Sequence, residues 1–165
     1  MATLPPLFSH SVSDVKDGFN TTSGDTPVFW KLSKTGSSIS VQPYLADCLN
    51  LVVANEAGAT LAERNNEVLQ VVEMPSERRY LNIDTSTLQG LSNPKAKHLA
   101  QSGLADVVIS PLLTGVLGLF DEHHKAKLFT IMRHPVERAT STFYHLKVRF
   151  DFFSKVEFQT LKNLT

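Results

Sequence analysis

The sequence predicts an α/β fold, built as a single domain in which a parallel sheet carries helices on both faces. Short continuous apolar runs alternate with stretches whose apolar residues recur at helical spacing. The clearest apolar runs are residues 51–55 (LVVAN), 105–110 (ADVVIS) and 127–133 (KLFTIMR). Such runs are typical of strands that are buried on both faces, and their alternation with helices favours parallel pairing.

Composition indicates an ordinary globular chain with no overall charge. The chain has 165 residues, of which 42% are hydrophobic and 19% charged, which is enough for one domain with a real core. Sixteen basic residues balance sixteen acidic ones, so no global field attracts nucleic acid or an anionic membrane. We therefore expect no nucleic-acid partner, and any anion site has to be local.

The first half of the chain begins with a segment of low apolar content. Residues 1–26 are rich in Ser, Thr, Asp and Gly, and we expect a flexible N-terminal segment there. A strand is predicted over 28–33 (VFWKLS), followed by the turn KTGSS and a helix over 38–50. Because Pro43 deletes a backbone hydrogen bond inside that helix, we expect the helix to kink. The strand 51–55 follows.

The second half repeats the alternation of strands and helices. A helix is predicted where Asn93 caps, Pro94 opens and Gly103 ends the segment 93–103. A further helix is expected over 134–147, opened by Pro135. The remaining predicted elements are a short strand within 67–74, the strand 105–110, a helix over 111–126 and the strand 127–133. These elements place the domain at 27–150, with a C-terminal tail at 151–165.

The turn after the first predicted strand has the composition of a phosphate-binding loop. Residues 34–38 (KTGSS) combine a lysine, a glycine and three hydroxyl groups. In the Walker phosphate loop the lysine follows the second glycine directly. Here Lys34 precedes Gly36 by two residues, so the Walker pattern does not match. The loop therefore suits an anion other than magnesium-bound ATP.

A second candidate anion site follows the strand 127–133. Arg133 ends that strand and Pro135 opens the next helix, so Arg133 stands beside free backbone N–H groups and the positive end of a helix dipole. Arg138 and Ser141 add hydrogen-bond donors within the next two turns. The alternative is an ordinary surface helix whose charges are solvated.

Taken in order, KTGSS and RHPVERATS resemble the sulfotransferase superfamily, most closely its carbohydrate-type and algal or protist branches. The resemblance covers about residues 27–150 and implies a P-loop-like fold, 3′-phosphoadenosine 5′-phosphosulfate (PAPS) as sulfate donor, PAP as product and no metal. The first segment is similar to the family's loop for the 5′-phosphosulfate, and the second to its motif for the 3′-phosphate. The cofactor-binding residues implied are Lys34, Thr35, Gly36, Ser37, Ser38, Arg133 and Ser141.

The implied reaction moves a sulfuryl group from PAPS to a hydroxyl or amine of a small-molecule or glycan acceptor, with a carbohydrate as the first expectation. Lys34 would stabilise the charge that develops on the departing phosphate. The acceptor proton needs a general base. In the family's cytosolic branch a histidine after a central strand has this role, and the equivalent residues 107–115 (VVISPLLTG) contain neither His nor Glu. Other branches use a glutamate near the ligand-binding edge of the sheet, so the resemblance leaves Glu56, directly after the strand 51–55, as the candidate, and a structural or solvated glutamate is the alternative.

Two other functions stay open from the sequence. A nucleotide kinase of the P-loop class would require lysine after glycine and a magnesium-binding aspartate after an apolar strand. A degenerate domain that binds PAP without turnover is favoured by the missing histidine and by the tail 151–165, which is short beside the longer members of the family. The pair His123 and His124 lacks spaced partners, so no metal site is predicted.

The sequence contains no run of about 18 apolar residues of the kind that spans a membrane. We therefore expect a soluble chain, cytoplasmic by default, and a Golgi location would require an anchor outside these residues. Oligomeric state is not predicted.

Overall fold

A computed structural model describes residues 11–12, 24–36, 40–62 and 68–162 of the chain. Six strands form one sheet in the order β3-β4-β2-β5-β1-β6. Their bounds are β1 Thr26–Trp30, β2 Val53–Ala54, β3 Val71–Glu73, β4 Arg79–Leu81, β5 Val107–Ser110 and β6 Ala126–Thr130. The predicted α/β class is confirmed, and the four most apolar predicted strands are present as β1, β2, β5 and β6.

The sheet is mixed, which corrects the prediction of a wholly parallel one. β1 pairs in parallel with β5 and β6, and β2 pairs in parallel with β4 and β5. At one edge, β3 pairs antiparallel with β4. Residues 74–78 are too few for the crossover that a parallel pair needs, so they close a hairpin in which Met74 N donates to Arg78 O at 2.9 Å. Sequence analysis missed β4 because its three residues lie in a polar stretch.

The helical elements are mostly short. Their bounds are α1 Gly58–Ala62, α2 Leu88–Leu91, α3 Leu99–Ser102, α4 Leu113–Leu117 and α5 Pro135–Lys162, with a π-helical turn at Tyr44–Cys48 and a 3-10 helix at Pro94–His98. The predicted helix at 93–103 is the 3-10 helix joined to α3: the Asn93 side chain accepts from Lys95 N, and Gly103 ends it with a φ of 62°. The helix predicted over 111–126 is only α4, because Gly118 caps it.

The helix predicted over 38–50 contains the π-helical turn instead of a simple kink. Pro43 adopts helical angles, φ −62° and ψ −38°, directly before that turn. Leu49 N then donates to Tyr44 O at 3.1 Å, five residues back. Since proline cannot supply its own hydrogen bond, a widened turn after it is a local way to keep the segment helical. The segment packs Ala46 against the sheet.

The core consists of two buried clusters, one on each face of the sheet. Neighbouring residues of a strand fall in opposite clusters, as the alternation of side chains in a strand requires. The first cluster includes Val28, Ala54 and Val108 with residues of α2, α3 and α4. The second includes Phe29, Val53 and Val107 with Ala46 of the π-helical turn. Both faces of the sheet are therefore covered. Because of this, the sequences of the central strands are continuous apolar runs.

The chain divides into two compact units, residues 1–131 and 132–165. The first contains the whole sheet. The second contains α5, which continues to Lys162 and so runs through most of the segment predicted as a tail. Within the described part of the chain, no helix is both long and apolar enough to cross a bilayer.

Most of the predicted flexible segment 1–26 lies outside the described residues. Ser11 and Val12 are described and lie against the sheet unit. Val12 bridges to Ala126 of β6, and Ser11 Oγ donates to Phe120 O at 3.3 Å.

Gly58 is predicted to tolerate no side chain. A Cβ at this position would lie 1.8 Å from Ile83 O and 2.7 Å from Leu81 O, both backbone atoms that cannot move aside. We expect Gly58→Ala to lower the free energy of unfolding by about 3 kcal/mol, measured by urea denaturation. Gly103→Ala is the control, because its Cβ would meet nothing within 4 Å. Its positive φ alone should cost about 1 kcal/mol. Equal losses of stability in the two variants would contradict the expected clash at Gly58.

Candidate functional site

The carboxyl ends of the five parallel strands lie at one edge of the sheet, the edge where ligands bind in open α/β sheets. Two contacts hold this edge together. The buried Thr85 hydroxyl lies 3.1 Å from Ala54 O at the end of β2 and 2.8 Å from Ile109 O near the end of β5. Lys31 N, directly after β1, donates to Ser110 O at 2.9 Å. Residues that follow β1, β2 and β4 are thereby brought close together.

The loop after β1 turns through two left-handed residues. Lys34 has a φ of 65° and Gly36 a φ of 86°. The φ angle at position 36 requires glycine in practice, whereas the φ angle of Lys34 is uncommon for a lysine. Thr35 Oγ1 donates to Leu32 O at 2.9 Å, which closes the turn, and Ser40 N donates to Gly36 O at 3.0 Å. The predicted Ser37 and Ser38 lie outside the described residues.

The two lysines that follow β1 differ in their partners. Lys31 Nζ lies 2.6 Å from Glu56 Oε1 and 3.3 Å from Gln42 Oε1, and its side chain is only 17% exposed. Lys34 is half-buried, and none of the residues described in the structure pairs with its ammonium group. Lys34 is therefore the lysine of this loop whose charge is available to a ligand.

Glu56 lies where the sequence predicted it, directly after β2, but it is not a free carboxylate. Its partner Lys31 was not predicted, and the two meet because β5 brings the ends of β1 and β2 to the same edge. Across the described chain, Oε2 of Glu56 has no partner, and its side chain is 43% exposed. The sequence indicates that both residues follow strands. It does not indicate the order of the strands in the sheet, and that order brings the two residues together.

Glu56 also lines an open pocket of about 190 Å³. The other lining residues are Gln42, Pro43, Ala46, Arg78 and Tyr80. Arg78 makes a two-pronged ion pair with Asp47 of the π-helical turn: Nε donates to Oδ1, and Nη2 donates to Oδ2 at 2.7 Å. Hydrogen bonds with Asp47 and then Tyr80 raise the pKa of Arg78, so its charge is permanent. Sequence analysis missed this pocket altogether.

The second predicted anion segment belongs to the unit 132–165. Arg133 Nε lies 3.1 Å from Glu137 Oε2, and both side chains are well exposed. Arg138 N donates to His134 O at 2.9 Å, so the helix opens at Pro135 as predicted. Ser141 lies on α5 and is half-buried.

Asp84 follows β4 at the same edge and has a structural role. Its carboxylate accepts from Ser86 Oγ at 2.6 Å, from Ser86 N at 2.8 Å and from Thr87 Oγ1 at 2.6 Å. Burial acts to raise the pKa of Asp84, but these side-chain and backbone hydrogen bonds outweigh burial and hold the pKa below its usual value. Thr87 in turn caps α2 by accepting from Gly90 N.

The histidine pair, His123 and His124, belongs to a turn before β6. His123 N and His124 N both donate to Asp121 Oδ1 at 2.8 Å, which makes the segment a hydrogen-bonded turn. Among the residues that the structure describes, no group of three or more His, Cys, Asp or Glu is placed to hold a metal ion.

No family model, curated protein or solved structure matches this chain.

The hydrogen bonds of Asp84 predict an acid-sensitive contribution to stability. Because its pKa is lowered in the fold, the carboxylate stabilises the fold above the unfolded pKa of about 3.9, and this contribution is lost as pH falls through the folded value. Asp84→Asn should lower the free energy of unfolding by about 2 kcal/mol at pH 7. In urea denaturation the difference from the unaltered chain should shrink below about pH 4. A difference that is constant from pH 7 to pH 3 would contradict this role.

Proposed function

We propose that this chain is a PAPS-binding sulfotransferase domain that transfers a sulfuryl group to a hydroxyl or amine acceptor, a carbohydrate by first expectation. The observation that carries the proposal is the Lys34–Gly36 turn at the carboxyl end of β1. It presents an ammonium group that has no partner among the described residues, within a backbone that two positive φ angles bend tightly. Backbone N–H groups in a bend of this kind can bind an anion.

The placement of the two segments along the chain supports the same proposal. β1 and β6 are neighbouring parallel strands, paired from Thr26 with Ala126 to Trp30 with Thr130. The KTGSS loop follows β1, and the Arg133 segment begins three residues after β6 ends. The chain therefore enters both segments from the same edge of the sheet. A nucleotide with phosphates at its 5′ and 3′ positions would use one segment for each.

The charges of the two segments suit phosphates differently. Lys34 is a compact point charge suited to the 5′-phosphate and to the bridging oxygen on which charge develops. Arg133 can bind the 3′-phosphate through two parallel hydrogen bonds. Its present partner, Glu137, forms an exposed pair with it, which is worth at most about 1 kcal/mol. A doubly charged phosphate would displace that carboxylate.

Glu56 is the proposed general base. In the transfer step, an acceptor oxygen attacks sulfur as the bond between sulfur and the bridging phosphate oxygen breaks, and the acceptor proton passes to Glu56. Oε1 is held at 2.6 Å by Lys31, which fixes the carboxylate and leaves Oε2 to take the proton. A positioned carboxylate of this kind is the role that the chemistry requires.

The alternative is a domain that binds PAP without transferring sulfate. The ion pair between Lys31 and Glu56 favours it, because one oxygen of the proposed base is already bound to a lysine. A P-loop nucleotide kinase is disfavoured by the loop order, and Asp84, the aspartate after β4, has its carboxylate oxygens occupied by Ser86 and Thr87.

Nucleotide selectivity is the most direct test of the proposal. A charge-assisted hydrogen bond contributes about 1.5–3 kcal/mol, so PAP should bind one to two orders of magnitude more tightly than 5′-AMP. Arg133→Ala should remove most of that difference, and Lys34→Ala should weaken both ligands together. Calorimetry on the purified chain and on the two variants measures the affinity of each for PAP and for 5′-AMP.

Glu137→Gln is the matched control for Arg133, because it removes a competing carboxylate from the same helix turn. It should leave PAP affinity unchanged or slightly increased. Equal affinity of the unaltered chain for PAP and AMP would refute the PAPS proposal. Binding of PAP without any sulfate transfer to carbohydrate acceptors would favour the non-catalytic alternative.

A separate prediction concerns Glu56. Glu56→Gln keeps the shape of the side chain and can still accept from Lys31, but it cannot take a proton. We expect sulfate transfer to fall by at least about a hundredfold, the usual contribution of a general base, while PAP affinity changes by less than twofold. Radiolabelled sulfate transfer and calorimetry give the two quantities. Full transfer activity in this variant would exclude Glu56 as the base.

A further inference from the structure

We propose that the pocket beside Glu56 binds a small hydroxylated carboxylate, whose carboxylate contacts the Arg78 guanidinium and whose hydroxyl donates to Glu56. Both residues line the same open space with Gln42 and Tyr80. Neither Lys34 nor Arg133 belongs to this pocket. The inference therefore stands apart from nucleotide binding, although Glu56 is common to both.

The lining combines opposite charges, and this decides the class of ligand. A purely anionic ligand would meet the Glu56 carboxylate, and a purely cationic one would meet Arg78. Glu56 is already neutralised by Lys31 at 2.6 Å, so an additional ammonium group gains little there. A hydroxyl donor can still use the free oxygen Oε2. The pocket consequently favours a hydroxy acid over an amino acid.

Arg78 is held by a carboxylate that a ligand can replace. Asp47 occupies its Nε and Nη2 donors in the two-pronged geometry that guanidinium groups form with carboxylates. The Arg78 and Asp47 side chains are 41% and 38% exposed, so water screens their attraction. Arg78 also lines the pocket, so a ligand carboxylate there can contact its guanidinium group. Asp47 thus competes with a ligand carboxylate for the charge of Arg78.

The remaining lining fits a short carbon skeleton. Pro43 and Ala46 supply apolar surface, and the Gln42 amide and Tyr80 add polar groups beside it. A volume of about 190 Å³ corresponds to roughly six water molecules at their share of liquid volume. Glycerate is a suitable probe.

Titration of the purified full chain without nucleotide tests the inference. We expect glycerate to bind measurably by calorimetry, and both propionate, which lacks the hydroxyl groups, and glycerol, which lacks the carboxylate, to bind at least tenfold more weakly. Arg78→Gln should weaken glycerate binding at least tenfold. Asp47→Asn should strengthen it severalfold, because the competing carboxylate is gone.

The two substitutions should change glycerate affinity in opposite directions, and this distinguishes a ligand contact from a purely structural ion pair. If the Arg78–Asp47 pair only holds the π-helical turn to β4, both substitutions should weaken binding, and that result would overturn the proposal. Arg79→Gln is the matched control: its Nη2 donates to Asn50 O and it does not line the pocket, so affinity should stay within twofold.

Circular dichroism establishes that each variant is folded. If Arg78→Gln does not fold, Asp47→Asn and the three probes on the unaltered chain still decide the question. Absence of glycerate binding by the folded chain, or equal binding of propionate, would refute the inference. Neither outcome affects PAP binding, so failure here is distinguishable from failure of the proposed function.

Discussion

The parallel pairing of β5 with both β1 and β2 is the constraint on which the rest of the structure depends. It aligns the carboxyl ends of β1 and β2, so that Lys31 and Glu56 meet at 2.6 Å. The Thr85 hydroxyl stabilises the same edge by hydrogen bonds to carbonyl groups near the ends of β2 and β5. Because neighbouring residues of each strand face opposite buried clusters, a slip of one residue would reverse both faces and separate these groups.

Most of the charged groups in and around the two proposed sites are already paired. Lys31 is paired with Glu56, and Arg78 with Asp47, whereas Lys34 has no such partner among the described residues. A chain with no net charge cannot attract anions at long range, so any affinity for them has to come from such local differences. The proposed nucleotide site uses the unpaired charge. The inferred hydroxy-acid site uses a paired charge that an incoming carboxylate can take over.

Prediction from sequence succeeded where local pattern is enough to decide the structure. The buried strands β1, β2, β5 and β6 read as apolar runs because they are covered on both faces, and the segment 93–103 is bounded by a capping asparagine and a left-handed glycine. Prediction from sequence failed where tertiary packing decides the local structure. β4 has three residues and is a strand only because β2 and β3 flank it. The helix predicted over 111–126 ends at Gly118, and the remaining residues form the turn before β6.

The sequence by itself determined the α/β class, the Lys34–Gly36 turn directly after a strand, the opening of α5 at Pro135 and the position of Glu56 after β2. Only the tertiary structure decided which groups surround Glu56. Its partner Lys31 is 25 residues away along the chain, and the pair of Arg78 with Asp47 spans 31 residues. Local periodicity specifies elements and their faces, but it does not specify which strand lies beside which. Contacts between side chains on different strands depend on that order, so they became visible only in the folded chain.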